Sequence, residues 1–185
     1  MPPEHPVRAD AVRNREHILE IAHEAFAADG SVSLNAIAKR AGVGPGTLYR
    51  HFPTREDLIL AVYQHDVLTV AHAVDKLLDD HEPLDAFRLW FSELAGYVRL
   101  KHGLGAAFTA AAIQDVVNAT YAPVIAAVGT LIAACERDGS LRSGLDPADI
   151  LLLMEFMWRG AAGAEGEAQA RRVMELVIEG LRPRG

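Results

Sequence analysis

Between Ser33 and Pro53 the sequence leaves room for little besides two short helices joined by a tight turn. Ser33 can cap a helix whose inner face is Leu34, Ile37, Ala38 and Ala41, and Gly42 then breaks it. A second helix opens near Gly44 with Pro45 in its first turn, where a missing N–H costs nothing. Val43 and Leu48 are spaced as a hydrophobic staple across that start. The helix must stop by Phe52, because a residue that precedes proline is pushed out of the α region. Size and punctuation are those of a helix-turn-helix.

The flanking segments read as helices too. Asp10 is a plausible N-cap for a helix to about Asp29, with Ile18, Ala22, Ala25 and Phe26 on one face and Gly30 at its C′ position. Thr54 caps a long helix to about Asp80, with Glu56 and Asp57 at its positive end. Further helices are expected at about 83–102, 104–115, 118–138, 146–159 and 165–181. No segment sustains period-two alternation, so the expected class is all-α with about nine helices. The expected division is a flexible arm over 1–9, a helix-turn-helix domain over 10–56 and a helical bundle over 57–185.

Composition narrows the functional classes. Half of the 185 residues are hydrophobic but only 6% are aromatic, which suits close-packed helices. The lone cysteine, Cys135, lies in an apolar stretch and reads as a buried, inert thiol; alone it makes neither an internal disulfide nor a cysteine-rich zinc site. Residues Met1 to Asp10 are polar and proline-rich, without the apolar core of a secretory signal. No run of about 20 apolar residues free of charge is evident, so no membrane contact and a cytoplasmic location are expected. The net charge of −7 does not exclude nucleic acid, because residues 1–52 carry six basic and six acidic side chains and are neutral.

The short helix 45–51 holds Thr47, Tyr49, Arg50 and His51 within about one and a half turns, and all can donate hydrogen bonds to phosphates or base edges. Leu48 and Phe52 would face inward. The glycines at 42, 44 and 46 do not form a nucleotide-cradling loop, since a helix precedes them and no Lys-Ser/Thr signature follows. Asp79, Asp80, His81 and Glu82 read as a solvated turn rather than a metal site. No catalytic signature occurs, so no catalytic residue, metal or cofactor is assigned.

The pattern Ile18, Leu19, Ala22, Phe26, Gly30, Ile37, Ala38, Ala41, Gly42, Val43, Gly46, Thr47, Leu48, Tyr49, His51, Phe52 and Leu58 resembles the DNA-binding domain of the TetR family of transcriptional regulators. The run Leu48 to Phe52 is its most specific part. The resemblance implies a dimer on double-stranded, near-palindromic operator DNA, most often a repressor released by a small-molecule effector. It implies recognition-helix contacts by Thr47, Tyr49 and His51, with Arg50 beside them, and a close backbone approach at Pro45 and Gly46. It further implies a helix start at Ser33 aimed at a phosphate, and backbone contacts by Lys39 and Arg40, with Arg13 or Arg15 adding others. Arg55, where the family usually carries lysine, would clamp a phosphate. Two departures stand out: Gly44 and Pro45 replace a common serine and a common basic residue, and the link from Gly30 to Ser33 is short.

For the second part the resemblance implies ligand binding and dimerisation. Phe87, Trp90, Phe91, Leu94, Tyr97 and Val98 make a broad apolar face on one helix. An apolar or amphipathic ligand would be lined by Trp90, Phe91, Tyr97, Phe108 and Met157, with His102 or Arg88 as polar anchor. The helix through Met157 is apolar nearly all round and needs cover on two sides. Leu153, Met157, Val173, Leu176, Val177 and Gly180 are therefore expected at a four-helix dimer interface. The competing reading is a helical-bundle enzyme or interaction module that binds no operator.

Overall fold

The computed structural model describes residues 5–104, 110–159 and 163–183. Among these residues there are ten helical segments and no strand: α1 (His5–Ala28), α2 (Leu34–Arg40), α3 (Pro45–His51), α4 (Arg55–His72), α5 (Val74–Asp80), α6 (Pro83–Leu104), α7 (Ala110–Asp138), α8 (Pro147–Leu153), α9 (Phe156–Arg159) and α10 (Ala164–Leu181). The protein is all-α. It divides into two compact units, residues 1–65 and 66–185, and the division falls within α4.

In the first unit α1 packs on α2 and α2 on α3. Ile18, Leu19, Ala22 and Ala25 of α1 share one core with Leu34, Ile37 and Ala38 of α2, Leu48 of α3, Phe52, and Leu58 and Val62 of α4. The turn after α2 depends on Gly42 at φ +67°, in the left-handed region. There its backbone lets Val43 N–H donate to the Ala38 carbonyl at 3.0 Å. A Cβ would meet nothing, so Gly42→Ala tests backbone conformation alone. It should cost about 1–2 kcal/mol in chemical denaturation; an unchanged midpoint would contradict the φ.

The second unit is built around α6, which packs against α5, α7 and α9, while α7 also packs against α5 and α8 and α10 against α9. Phe87, Trp90 and Phe91 are fully buried at its centre. Phe87 and Phe91 lie 4.7 Å apart between centroids, and Trp90 meets Phe91 edge-on at 5.0 Å. The indole N–H of Trp90 donates to the Val70 carbonyl at 2.8 Å. Cys135 is buried, as expected of an inert thiol, and burial raises its pKa.

Several boundaries differ from the sequence reading. α1 starts at His5, with Pro6 in its first turn, and runs straight through Asp10. Gly30 does not sit in the left-handed region. Instead Asp29 turns the chain, its carboxylate accepting from the Ser31 amide at 2.8 Å and hydroxyl at 2.7 Å. The expected helix 54–80 is interrupted at Ala73. The expected break near Asp115 is absent; α7 continues through it, with Gln114 and Asn118 bonded across one turn at 3.0 Å. The helix after Asp146 breaks at Met154 and Glu155. Against the expectation of no apolar span, Gln114–Asp138 is long and apolar enough to cross a membrane by composition, with mean hydropathy 1.7. Its apolarity has a use in the core: Val124, Ala127, Val128, Leu131, Ile132 and Cys135 are all buried.

Candidate nucleic-acid interface

The α2–α3 pair is assembled from local signals. The Ser33 hydroxyl oxygen accepts from the Ala36 amide at 3.3 Å, capping α2 while its own proton stays available to a phosphate. Gly44 caps α3 with backbone only, and Pro45 follows it, so the loss of a side-chain cap anticipated from the sequence is present. Buried Leu48 and Phe52 anchor α3 from beneath. Arg15 of α1 lies over the Phe52 ring at 5.4 Å, a cation–π contact that holds the end of α3.

The opposite face of α3 is open. Pro45, Gly46, Tyr49 and Arg50 are exposed and Thr47 and His51 half-buried. Tyr49 is 43% exposed, unusual for a large aromatic side chain. A Cβ on Gly46 would meet nothing within 4 Å, so nothing of the protein lies close above the helix tip. Lys39 and Arg40 are exposed in the last turn of α2. The fold thus gathers nine of the ten expected DNA-contacting positions on α2, α3 and their caps.

Arg55 is the tenth, and it points elsewhere. Its two terminal nitrogens donate to the backbone carbonyls of Val32 and Gly30, and its guanidinium carbon lies 4.9 Å from the Phe26 ring centroid. In the DNA-free protein the side chain expected to clamp a phosphate is bonded to the chain's own backbone. The start of α4 around it is fixed by a reciprocal cap: Thr54 N–H donates to the Asp57 carboxylate at 3.0 Å and Asp57 N–H to the Thr54 hydroxyl at 3.1 Å.

The expected ligand residues differ in exposure. Trp90, Phe91 and Met157 are buried, Tyr97 is half-buried, and Phe108 and the His102 side chain lie outside the described residues. Arg88, the other expected anchor, is engaged by Glu175 through two 2.7 Å bonds and by Asp85 at 2.9 Å. That network holds the Glu175 carboxyl below its usual range, with the Arg88 hydrogen bond as the main cause. Sequence reasoning passed over Asp66, a buried carboxylate on α4 whose charge, after burial itself, helps push the Tyr97 phenol upward. No local pattern marks such a residue. Of the expected dimer residues, Met157 faces the protomer's own core, whereas Leu153 and Leu176 are 51% and 73% exposed.

Comparison with known proteins decides what this architecture belongs to. Residues 18–62 match the family described as bacterial regulatory proteins, tetR family. Residues 82–183, more than half of the chain, match the transcriptional regulator SbtR-like C-terminal domain. The chain belongs to the TetR family of transcriptional regulators. A TetR regulator from Streptomyces coelicolor is 32% identical and superposes with a TM-score of 0.74, over 92% of this chain and 99% of that one. The FadR repressor of Thermus thermophilus shares the fold at 23% identity and a TM-score of 0.57, over 92% and 96% of the two chains. An HTH-type transcriptional regulator of Staphylococcus aureus is 44% identical over 77 residues, 40% of this chain. The match spans about 42% of that curated relative's length. A TetR-family chain of this kind is a DNA-binding transcriptional regulator rather than an enzyme, and the competing enzyme reading falls.

Proposed function

We propose that this TetR-family chain is a homodimeric repressor that binds a near-palindromic operator and is released by a small apolar or amphipathic effector. The observation that carries the DNA part is the open face of α3, which runs from the exposed tip at Pro45 and Gly46 to exposed Tyr49 and Arg50, with Thr47 and His51 half-buried beside them. A two-fold dimer would set two such faces about 34–36 Å apart, in successive major grooves. Ser33, Lys39 and Arg40 supply phosphate contacts that fix register. A cytoplasmic location goes with this reading.

The dimer is proposed through α8 and α10. Leu152, Leu153 and Leu176 are 65%, 51% and 73% exposed, too much apolar surface to leave in water. Val173 and Val177 are half-buried and Gly180 exposed on the same stretch of α10. Leu176→Asp should convert the dimer to monomer at micromolar concentration in sedimentation, because a carboxylate would be desolvated at the contact; a variant that still sediments as the wild type would place the interface elsewhere.

For the effector, the support is the aromatic content of α6 and the fold it shares with FadR of Thermus thermophilus, which was crystallised with lauroyl-CoA. The test of the whole reading is selection from a randomised duplex pool by the wild-type protein. Enrichment of one short palindrome, bound with steep salt dependence, is the expected result. Equal retention of all sequences at low salt would overturn it. The enriched duplex then serves to screen acyl and aromatic compounds for release.

A further inference from the structure

Arg55 stands outside the recognition surface, yet its contacts enclose it. The guanidinium reaches back 23 and 25 residues, to Val32 and Gly30, from the first residue of α4. The two carbonyls it meets lie immediately before α2, and Arg55 itself lies immediately after α3. One side chain therefore ties the two ends of the segment that holds the entire helix-turn-helix.

Each end of this tie is itself fixed. At one end Val32 N–H donates to the Asp29 carbonyl at 3.1 Å, and Asp29 is locked by Ser31. At the other, Thr54 and Asp57 cap α4 reciprocally. Phe26 of α1 lies under the guanidinium, so the tie is also seated on the helix that carries the core face. The geometry suits arginine specifically. A planar fork with several fixed donors can reach two separate carbonyls and still stack on a ring, whereas an ammonium is a single point donor.

We propose that Arg55 is a positioning residue for DNA recognition, which closes the 30–55 segment and thereby sets the pose of α3, without itself contacting phosphate. This rests on the DNA-binding reading given above. On this account the residue's charge is spent inside the protein, and its effect on the operator runs through geometry. A charge-only account makes the opposite prediction, that lysine serves as well.

The experiment uses the full chain and the palindrome enriched by the wild type. Affinity is measured across a salt series for wild type, Arg55→Lys and Arg55→Gln, with Lys39→Gln as a phosphate-contact reference. All are held at a temperature where circular dichroism shows them fully folded, so a loss through unfolding does not count. Both Arg55 variants should bind roughly tenfold or more weakly, the scale of one lost base contact. Their slopes of log affinity against log salt should match the wild type, while Lys39→Gln should shorten its slope by about one. Wild-type affinity in Arg55→Lys, or a slope shortened by about one in Arg55→Gln, would make Arg55 a phosphate contact and overturn the proposal. Amide exchange without DNA reads the tie directly: Val32, Ala36 and Ile37, whose N–H groups are bonded around the start of α2, should exchange faster in both variants, and unchanged protection overturns it. A wild-type protein that enriches no sequence overturns the DNA-binding reading itself, and the exchange result then decides the tie by itself.

Discussion

Trp90→Ala is expected to cost the 66–185 unit about 3–5 kcal/mol, the range for emptying a buried tryptophan site. Trp90 is fully inaccessible and is gripped by Phe91 edge-on at 5.0 Å, with Phe87 next to Phe91. Its indole N–H is given to the Val70 carbonyl, which also accepts from Ala73 N–H at 3.1 Å where α4 ends. Truncation opens a cavity and removes a buried hydrogen bond at the end of that helix. Since whole domains are held by only about 5–15 kcal/mol, Trp90→Ala is close to the limit of what folds. Trp90→Phe separates the terms: it keeps most of the apolar bulk and loses the N–H, for a smaller cost of about 1–3 kcal/mol. Urea unfolding followed by circular dichroism measures both. A Trp90→Ala midpoint equal to that of the wild type would mean that the ring lines solvent-filled space, as a pocket wall would, and that the central packing described for α6 is wrong.

The contrast between this tryptophan and the recognition helix shows which signals a sequence carries. Ser33, Gly42, Pro45 and Pro53 act within one turn of where they stand, by a cap, a positive φ, a missing N–H and a steric clash. Their effects need no knowledge of the rest of the fold, so α2 and α3 were readable to within a residue. The apolar face of α6 was equally plain, but whether such a face meets other helices or an opening depends on what covers it. From the sequence Trp90 and Phe91 read as pocket walls; in the fold their rings meet edge-on. Met157, expected from the sequence at two surfaces, is buried, and the break at Met154 and Glu155 separates its short helix from the exposed Leu152 and Leu153.

The departures at Asp115 and Arg55 have a common origin. A charged residue at a helix surface looks like a terminus only if nothing local supports continuation, and at α7 the Gln114–Asn118 pair supports it. A long cationic side chain beside a DNA-binding motif looks like a phosphate ligand only if no acceptor inside the protein is nearer. For Arg55 two acceptors are, and they lie more than twenty residues back in the chain. Period and punctuation describe one segment at a time, whereas the direction of a flexible side chain is settled between segments.

Gly46→Leu should move stability and function in opposite directions. Gly46 lies in the first turn of α3, at an ordinary helical φ, with open space where a Cβ would stand. Glycine is disfavoured in a helix by roughly 1 kcal/mol relative to alanine or leucine, so the free protein should be as stable as the wild type or more so. On the operator the same position is where backbone and groove approach most closely in the proposed complex, and a four-carbon side chain there holds α3 away from the bases. Affinity for the selected palindrome should fall about a hundredfold, as if one or two base contacts worth about 1–3 kcal/mol each were lost. Gly46→Ala should fall between. Tyr49→Ala provides the complementary loss, removing a half-exposed side chain without adding bulk. Thermal unfolding and salt-controlled operator titration, done on the same preparations, give both readings. If Gly46→Leu binds the palindrome like the wild type, the tip of α3 does not enter the groove, and the open face of that helix must meet DNA in another orientation.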